Sequence, residues 1–167
     1  MSDGPNYEVP ERRRREQATD YEQRLKLLKS GQPRAVVRTS NRHTRVHLSV
    51  FNREGDDNTA QTVSKDLREY GWEHSTSSIP AAYLTGLLAG HRTEADEAVL
   101  DTGTREVKHG SRHFAAAQGL NDAGVDVPVG ESAVPDESRI RGEHIEEITD
   151  EDVVDNLEET KEEIENA

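Results

Sequence analysis

The 167-residue chain contains no cysteine, only two phenylalanines and one tryptophan, and few large aliphatic side chains. The missing cysteine excludes disulfide frameworks, thiolate zinc sites and cysteine nucleophiles. Leu, Ile, Val and Phe together supply 32 residues, about 19% of the chain, and the formal net charge is −13. Chains this charged and this poor in apolar residues are often disordered, so composition alone disfavours an ordinary globular enzyme.

Long apolar runs are also missing. The longest nearly apolar stretch, residues 79–90, has 12 residues, whereas a membrane-spanning helix needs roughly 20. The amino-terminal region shows no apolar segment ahead of its basic run, as a secretory signal would require. We therefore expect a soluble, cytoplasmic protein.

Motifs that carry catalysis are absent from the sequence. It has no glycine-rich phosphate loop, no dinucleotide fingerprint and no serine nucleophile elbow. Two histidine pairs with a spacing of four, His43 with His47 and His109 with His113, could each supply two metal ligands, but nothing completes a ligand set. No carboxylate pair stands in an apolar setting that would raise a pKa. We expect no enzymatic activity, no bound metal and no cofactor.

Charge is distributed unevenly along the chain. The net charge is +5 for residues 1–50, −5 for 51–110, −2 for 111–142 and −11 for 143–167. Acidic residues spread over a whole surface suit a cytoplasm of molar salt, where the Debye length falls to about 3 Å. A partly disordered acidic protein at ordinary salt would have the same composition, and composition alone leaves both interpretations open.

The amino-terminal basic region has a helical pattern. Residues 11–30 predict one basic helical arm, with Asp20 as a possible N-cap. Tyr21, Leu25 and Leu28 then share one face of that helix. A glycine and a proline shortly after residue 30 end the helix.

The rest of the chain alternates strand and helix patterns, which predicts an α/β fold. We expect a small mixed sheet of three to four strands packed with helices, a basic amino-terminal extension and an acidic carboxyl-terminal helix or tail. The predicted domains are a basic arm at 1–33, an α/β domain at 34–142 and an acidic tail at 143–167. The predicted elements are a hairpin of strands 34–41 and 44–52, a weaker strand 59–65, a buried helix from Pro80, a strand 97–103, and a helix 111–124 capped by Ser111 and ended by Gly124.

The acidic segment carries a narrow apolar stripe. Thr149 and Asp152 resemble a capping box, and the stripe that follows is formed by residues 153, 157, 160 and 164. This stripe is too thin to fold alone, so the segment either docks on the domain or remains a mobile acidic tail. We expect the tail.

The basic region is the strongest functional signal. Four consecutive arginines open it, and the arginine fork suits bidentate contact with phosphate, while Tyr21 and His43 could stack on unpaired bases. Such a run can also be a solvated surface or a targeting patch, but it favours nucleic-acid binding. The rival class is an acidic adaptor that binds a protein partner through its carboxyl-terminal tail. The cations of this region are Arg12, Arg13, Arg14, Arg15, Arg24, Lys26, Lys29, Arg34, Arg38, Arg42 and Arg45.

Three ordered motifs resemble a known family. They are RRRREQATDYEQRLKLLKSGQPRAVVRTSN at 12–41, EYGWEHSTSSIPAAYLTGLLAG at 69–90 and RIRGEHI at 139–145. With these motifs, the chain resembles, over nearly its whole length, the archaeal form of the uL18 family. Members of this family are large-subunit ribosomal proteins that bind 5S rRNA, and they are similar to the eukaryotic 5S-binding protein.

The resemblance implies a structural constituent of the ribosome without enzymatic activity. Such a protein binds 5S rRNA and attaches it to 23S rRNA in the central protuberance, beside neighbouring large-subunit proteins, with no membrane and no small-molecule substrate. Charge alone adds Lys26, Lys29, Arg34 and Arg45 to the candidate RNA contacts. The positions that the resemblance implies are Arg12, Arg13, Arg14, Arg15, Thr19, Tyr21, Arg24, Arg38, Ser40, Asn41, Arg42, His43, Gly110, Ser111, Arg112, Arg139, Arg141 and His144.

Overall fold

Four strands form one mixed sheet in the computed structural model, which describes residues 9–10, 12–104 and 106–167. The predicted arm residues 1–8 and 11 lie outside the described residues. The strand order is β3-β2-β1-β4, with β1 antiparallel to β2, β2 antiparallel to β3, and β4 parallel to β1. The small mixed sheet expected from the sequence is confirmed. The strands are β1 (Arg34–Thr39), β2 (Thr44–Val50), β3 (Asp57–Val63) and β4 (Val99–Asp101).

Side-chain alternation gives the sheet two different faces. One face carries Ala35, Val37, Val46 and Leu48, all fully buried, and packs against two helices. The helices are α3 (Ile79–His91) and α4 (Arg112–Asp122). The opposite face carries the polar side chains of β1 and β2, so the candidate site is on that outer face.

Helix α3 begins where the sequence predicts. The Ser78 hydroxyl accepts a hydrogen bond from the Ala81 amide at 3.2 Å, and Pro80 stands in the first turn, where its missing amide costs nothing. The helix is apolar on all sides because it lies between the sheet and other helices. Its buried position fixes the loop before it, residues 72–78, next to the β1–β2 turn.

Helices α3 and α4 cross at glycines. A Cβ on Gly86 would lie 2.0 Å from the carbonyl oxygen of Ala116, and one on Gly119 would lie 2.1 Å from the carbonyl oxygen of Tyr83. Only hydrogen fits at either position. Backbone therefore packs directly on backbone, which lets a chain with few large apolar residues build a dense core.

A second apolar cluster surrounds the single tryptophan. Trp72 is 1% exposed and packs with Leu67, Leu84 and Leu88. Three further helices complete this side of the molecule. They are α5 (Glu137–Arg141), α6 (Glu143–Thr149) and α7 (Val153–Glu165).

The expectation of a mobile acidic tail is wrong for residues 153–165. Val153, Leu157, Thr160 and Ile164 are all buried, and α7 packs against α3. The stripe is narrow, but α3 presents an apolar partner that a sequence pattern does not reveal.

The capping box expected ahead of α7 is also wrong. The Thr149 hydroxyl donates to the Ile145 carbonyl at 2.9 Å within α6, and the Asp152 side chain accepts no capping hydrogen bond. The Glu146 carboxylate caps this end of α7 instead, because it accepts a hydrogen bond from the Val154 amide at 3.3 Å.

The ends of α4 are placed as predicted, but one cap lacks its bond. Ser111 occupies the N-cap position, yet its hydroxyl makes no hydrogen bond with any of the residues that the structure describes. At the other end Gly124 has φ of 97°, a left-handed conformation that suits glycine and stops the helix.

The basic arm is two helices rather than one. They are α1 (Arg12–Arg15) and α2 (Tyr21–Leu28), separated by a bend in which Gln17 has φ of 51°. The Asp20 carboxylate accepts from the Glu22 and Gln23 amides at 3.0 Å, so it caps a new helix there, as predicted. A capping carboxylate competes with helix continuation, which explains the break.

Candidate nucleic-acid interface

A polar cleft lies between the arm and the outer face of the sheet. The arm contributes α2 and the bend before it, and the sheet contributes alternate residues of β1 and β2. The lining is rich in hydrogen-bond donors, as a site for phosphate and hydroxyl groups requires. The polar lining residues include Arg13, Thr19, Gln23, Arg24, Arg34, Arg38, His47, Ser49, Asp56, Asn58, Asp101 and Thr104.

Two carboxylates organise the arginines of the cleft. Asp56 accepts from Arg24 Nη2 at 2.7 Å and also from Arg34 Nη2. Asp101 accepts from Arg34 Nη1 and from Arg38 Nη2, both at 2.9 Å. We call these five residues the arginine–aspartate ladder. The ladder connects the arm, the β2–β3 connection, β1 and β4.

The ladder is most deeply buried at its centre. The side chain of Arg34 is 4% exposed and that of Asp101 is 9% exposed, whereas Arg24 and Arg38 at the two ends are 31% and 43% exposed. A buried charge is tolerated only when it is paired and hydrogen-bonded. Arg34 is therefore committed to internal contacts, and the two outer arginines still present edges to solvent.

Both carboxylates are held in the charged form. Burial alone would raise the pKa of Asp101, but the guanidinium groups of Arg38 and Arg34 and the Gly103 amide outweigh it, and its pKa is lower than usual. For Asp56, burial likewise opposes ionisation, and the contacts with Arg24 and Arg34 again hold its pKa below the ordinary value.

His47 lies on the same face, and its surroundings favour the neutral imidazole. Burial lowers the pKa of His47, and the positive charges of Arg38 and Arg34 lower it further. A neutral imidazole offers one donor and one acceptor rather than a cation. His47 can thus bind a hydroxyl or a base edge in the cleft.

The four arginines of α1 are fully displayed to solvent. None of them is buried, and the one ion pair that they form with described residues joins Arg12 to Glu16 at 3.8 Å. Exposed pairs of this kind contribute little. On α2, Lys26 is paired with Glu22 at 2.8 Å, and Lys29, directly after the helix, is exposed. These cations lie on the exposed surface of the arm, and their contact with RNA stays a prediction.

The turn between β1 and β2 presents a second group of predicted residues. The Ser40 hydroxyl accepts from the His43 amide at 3.0 Å and donates to the His43 carbonyl at 3.1 Å, which closes the turn. Asn41 and Arg42 are exposed at its tip, and the Arg42 carbonyl accepts from Thr76 at 2.7 Å. Arg45 is exposed on β2. The β1–β2 turn and the arm thus both carry exposed cations.

The amino-acid sequence is similar to those of known ribosomal proteins. The family model for "Ribosomal large subunit proteins 60S L5, and 50S L18" matches residues 5–97. The large ribosomal subunit protein uL18 of Haloarcula marismortui is 52% identical over 150 residues, which cover 88% of this chain and 80% of that protein. The uL18 protein of Haloquadratum walsbyi is 53% identical over 148 residues, covering 87% and 72%.

The chain belongs to the uL18 family. As a uL18 protein it is a structural constituent of the large ribosomal subunit in the cytoplasm and not an enzyme, and its partners are ribosomal RNA and ribosomal proteins. Its relatives come from halophilic archaea, including Halobacterium salinarum at 52% identity over 153 residues. The origin of these relatives agrees with the interpretation of an acidic surface suited to molar salt. No helix in the described part of the chain has the length and apolarity to span a bilayer.

The remaining predicted residues of this uL18 chain do not line the cleft. Gly110, Ser111 and Arg112 form the start of α4, where Gly110 has φ of 69° and donates its amide to the Ala133 carbonyl at 2.8 Å. They therefore belong to the layer of helices. Their contact with RNA stays a prediction.

The late basic motif is also remote from the cleft. Arg139 is exposed on α5, Arg141 pairs with Glu158 of α7 at 3.6 Å, and His144 is half-buried on α6. These residues lie among the helices packed on the inner side of the sheet. The structure thus presents two separate groups of predicted RNA contacts.

Sequence reasoning missed Asp56 and Asp101, the two carboxylates of the ladder. Asp56 stands in a GDDN turn, and Asp101 ends a short strand, so neither looked functional. The available signal was Arg34, because a cation that begins the apolar run Ala35–Val37 requires a buried partner.

Proposed function

We propose that this uL18 protein binds 5S rRNA and mediates its attachment to 23S rRNA in the central protuberance of the large subunit. The observation that carries the proposal is the collection of exposed cations on α1 and α2, beside a cleft rich in donors, together with the exposed Arg42 of the β1–β2 turn. The family resemblance supplies the identity of the RNA. Residues 1–33 act as the RNA-binding arm and 34–142 as the 5S-binding domain, while residues 143–167 are the acidic segment.

The net charge of −13 does not oppose this proposal. The acidic helix α7 packs on α3, and α3 packs on the inner face of the sheet, so the carboxylates of α7 lie on the side opposite the arm. In molar salt, screening removes most of the Coulombic affinity, which falls with a slope of about −0.7 to −0.9 per phosphate contact. Shape, hydrogen bonds to phosphates and 2′-hydroxyls, and base stacking must then supply the affinity.

The adaptor alternative receives no support from the fold. It requires an available apolar stripe on the acidic segment, and that stripe is buried against α3.

A matched pair of charge variants tests the proposal. We expect Arg13→Gln with Arg14→Gln to weaken binding of a 5S rRNA fragment and to reduce the salt slope by about 1.5, since each phosphate contact contributes about 0.7 to 0.9. Arg92→Gln with Lys161→Gln removes the same charge at residues that do not line the cleft and should leave the slope almost unchanged.

Titrations over a range of potassium chloride concentrations, with RNA retention on a filter as the readout, give the two slopes. Equal slopes for the two double variants would show that the arm is not a principal contact. No binding by the unmodified protein, while it remains folded, would refute the proposal itself.

A further inference from the structure

Two anionic side chains lie beneath the cationic surface that faces the cleft. Simple electrostatics assigns Asp56 and Asp101 an unfavourable effect on RNA binding, because each places a negative charge near the phosphates. Their contacts indicate the opposite effect.

The position of the arm depends on Asp56. Helix α2 buries none of its residues, and Tyr21 and Leu25 face solvent at 43% and 55% exposure. Within the part of the chain that the structure describes, the bond from Arg24 to Asp56 is the side-chain hydrogen bond that joins residues 12–30 to the domain. Leu27 and Leu28 are only partly buried, so apolar packing on α2 is limited, and this ion pair fixes the position of α2 over the sheet together with them.

The orientation of the sheet arginines depends on Asp101. Arg38 donates to the Asp101 carboxylate at 2.9 Å, and its other terminal nitrogen donates to the carbonyl oxygens of Asp101 and Val37 at 2.7 and 2.9 Å. The Asp101 carboxylate is itself fixed by the Gly103 amide at 2.9 Å. The guanidinium plane of Arg38 is therefore set before any ligand arrives, with its exposed edge in the cleft.

We propose that Asp56 and Asp101 are positioning residues that promote RNA binding. They hold Arg24, Arg34 and Arg38 as one ladder, which fixes the arm over the outer face and presents the free guanidinium edges of Arg24 and Arg38 to RNA phosphates. This inference rests on the function proposed above. Preorganised cations lose less conformational freedom on binding, so the ladder raises affinity even though it adds negative charge.

The decisive experiment compares two neutralised acids that are two residues apart. Asp56→Asn removes the charge and loosens Arg24, whereas Glu54→Gln removes the same charge from an exposed side chain that has no ion pair among the described residues. We expect Asp56→Asn to weaken binding of the 5S rRNA fragment about tenfold, as loss of one charge-assisted hydrogen bond does, and Glu54→Gln to bind as tightly as the unmodified protein or tighter.

Two further variants separate positioning from a general structural effect. Asp56→Glu keeps the carboxylate and should restore most of the affinity. Arg24→Gln should cost much less affinity in the Asp56→Asn background than alone, because each change by itself already breaks the Arg24–Asp56 contact. Asp56→Asn also removes one partner of the buried Arg34 and should lower the urea unfolding midpoint, so trypsin cleavage is compared in buffer without urea, where both proteins are folded. Cleavage within residues 12–15 should accelerate in Asp56→Asn and not in Glu54→Gln. Asp101→Asn, if it folds, should also weaken RNA binding and so tests the positioning role a second time. If Asp101→Asn does not fold, the Asp56 variants alone decide whether the positioning role is correct.

The outcomes are distinct. If the unmodified protein fails to bind the RNA, the proposed function is refuted. If it binds and Asp56→Asn binds as tightly as Glu54→Gln, or if Asp56→Glu restores nothing, the RNA-binding function stands and the positioning role is refuted.

Discussion

The crossing of α3 and α4 makes a quantitative prediction for Gly119→Ala. The added Cβ would lie 2.1 Å from the Tyr83 carbonyl oxygen and 2.7 Å from the Leu87 amide nitrogen. Real Cβ contacts are essentially never shorter than 3.0 Å, so the helices must separate by close to an ångström. Both obstructing atoms are backbone, which cannot rotate out of the way as a side chain would.

The expected loss of stability combines two opposing effects. Replacing a mid-helix glycine by alanine favours the helix by about 1 kcal/mol. Overpacking a dense core costs typically about 1 to 3 kcal/mol, and a backbone clash belongs at the upper end. We therefore expect a net loss of about 2 kcal/mol in the free energy of unfolding. For a urea m-value of about 2 kcal/mol/M, the unfolding midpoint falls by about 1 M.

Trp72 provides the assay, because it is the single tryptophan and is 1% exposed. Its fluorescence is followed during urea unfolding in molar potassium chloride. Gly130→Ala is the matched control, since Gly130 has ordinary φ of −68° and a Cβ there would have no neighbour within 4 Å. We expect the control to be neutral or slightly stabilising. If Gly119→Ala is as stable as Gly130→Ala, the backbones of α3 and α4 are not in direct contact at Gly119.

Three further results follow from the structure. Leu157→Ala should cost about 2 to 4 kcal/mol by the Trp72 assay, because it leaves a cavity under α7, and Ile148→Ala, at an 82% exposed position, should cost almost nothing; equal costs would mean that α7 does not pack. The stability advantage of the unmodified protein over Asp101→Asn should be complete above about pH 4 and shrink as pH falls further, because a lowered carboxyl pKa stabilises the fold only while the group is ionised; an advantage that persists undiminished at low pH would contradict this. Arg42→Gln should reduce the salt slope of RNA binding by about 1, and an unchanged slope would remove the turn from the interface.

Local sequence signals predicted the elements well and their tertiary partners poorly. The hairpin expected at 34–41 and 44–52 is observed at Arg34–Thr39 and Thr44–Val50, because periodicity and turn residues are local. The arm was predicted as one helix, since the Asp20 cap was recognised but not the bend that it causes. The packing of α7 was missed because its partner α3 is far away in sequence.

The composition is typical of disordered chains, yet this chain folds around a dense core, and the reason lies in its alanines. Among the residues that the structure describes, ten of the 26 buried hydrophobic ones are alanines, which an index based on Leu, Ile, Val and Phe does not count. Alanine and glycine allow close helix contacts, so a core forms with less apolar area.

The sequence predicted the cations of the candidate site but not the carboxylates that pair with them. The cations could be found from their spacing, but their counterions could not, because Arg34 contacts carboxylates 22 and 67 residues away. Only the fold brings Asp56 and Asp101 to the same guanidinium group. Sequence therefore revealed the charge of the interface and not its organisation.

The placement of the cationic arm and the acidic helix α7 on opposite sides of the sheet gives the molecule a large electric dipole moment. In dilute buffer a polyanion would exert a torque that turns the protein arm-first during approach and accelerates productive collisions. In concentrated brine, screening over about 3 Å abolishes this torque. The association rate constant should then approach that of an uncharged particle, and recognition would be left to the surfaces once they touch.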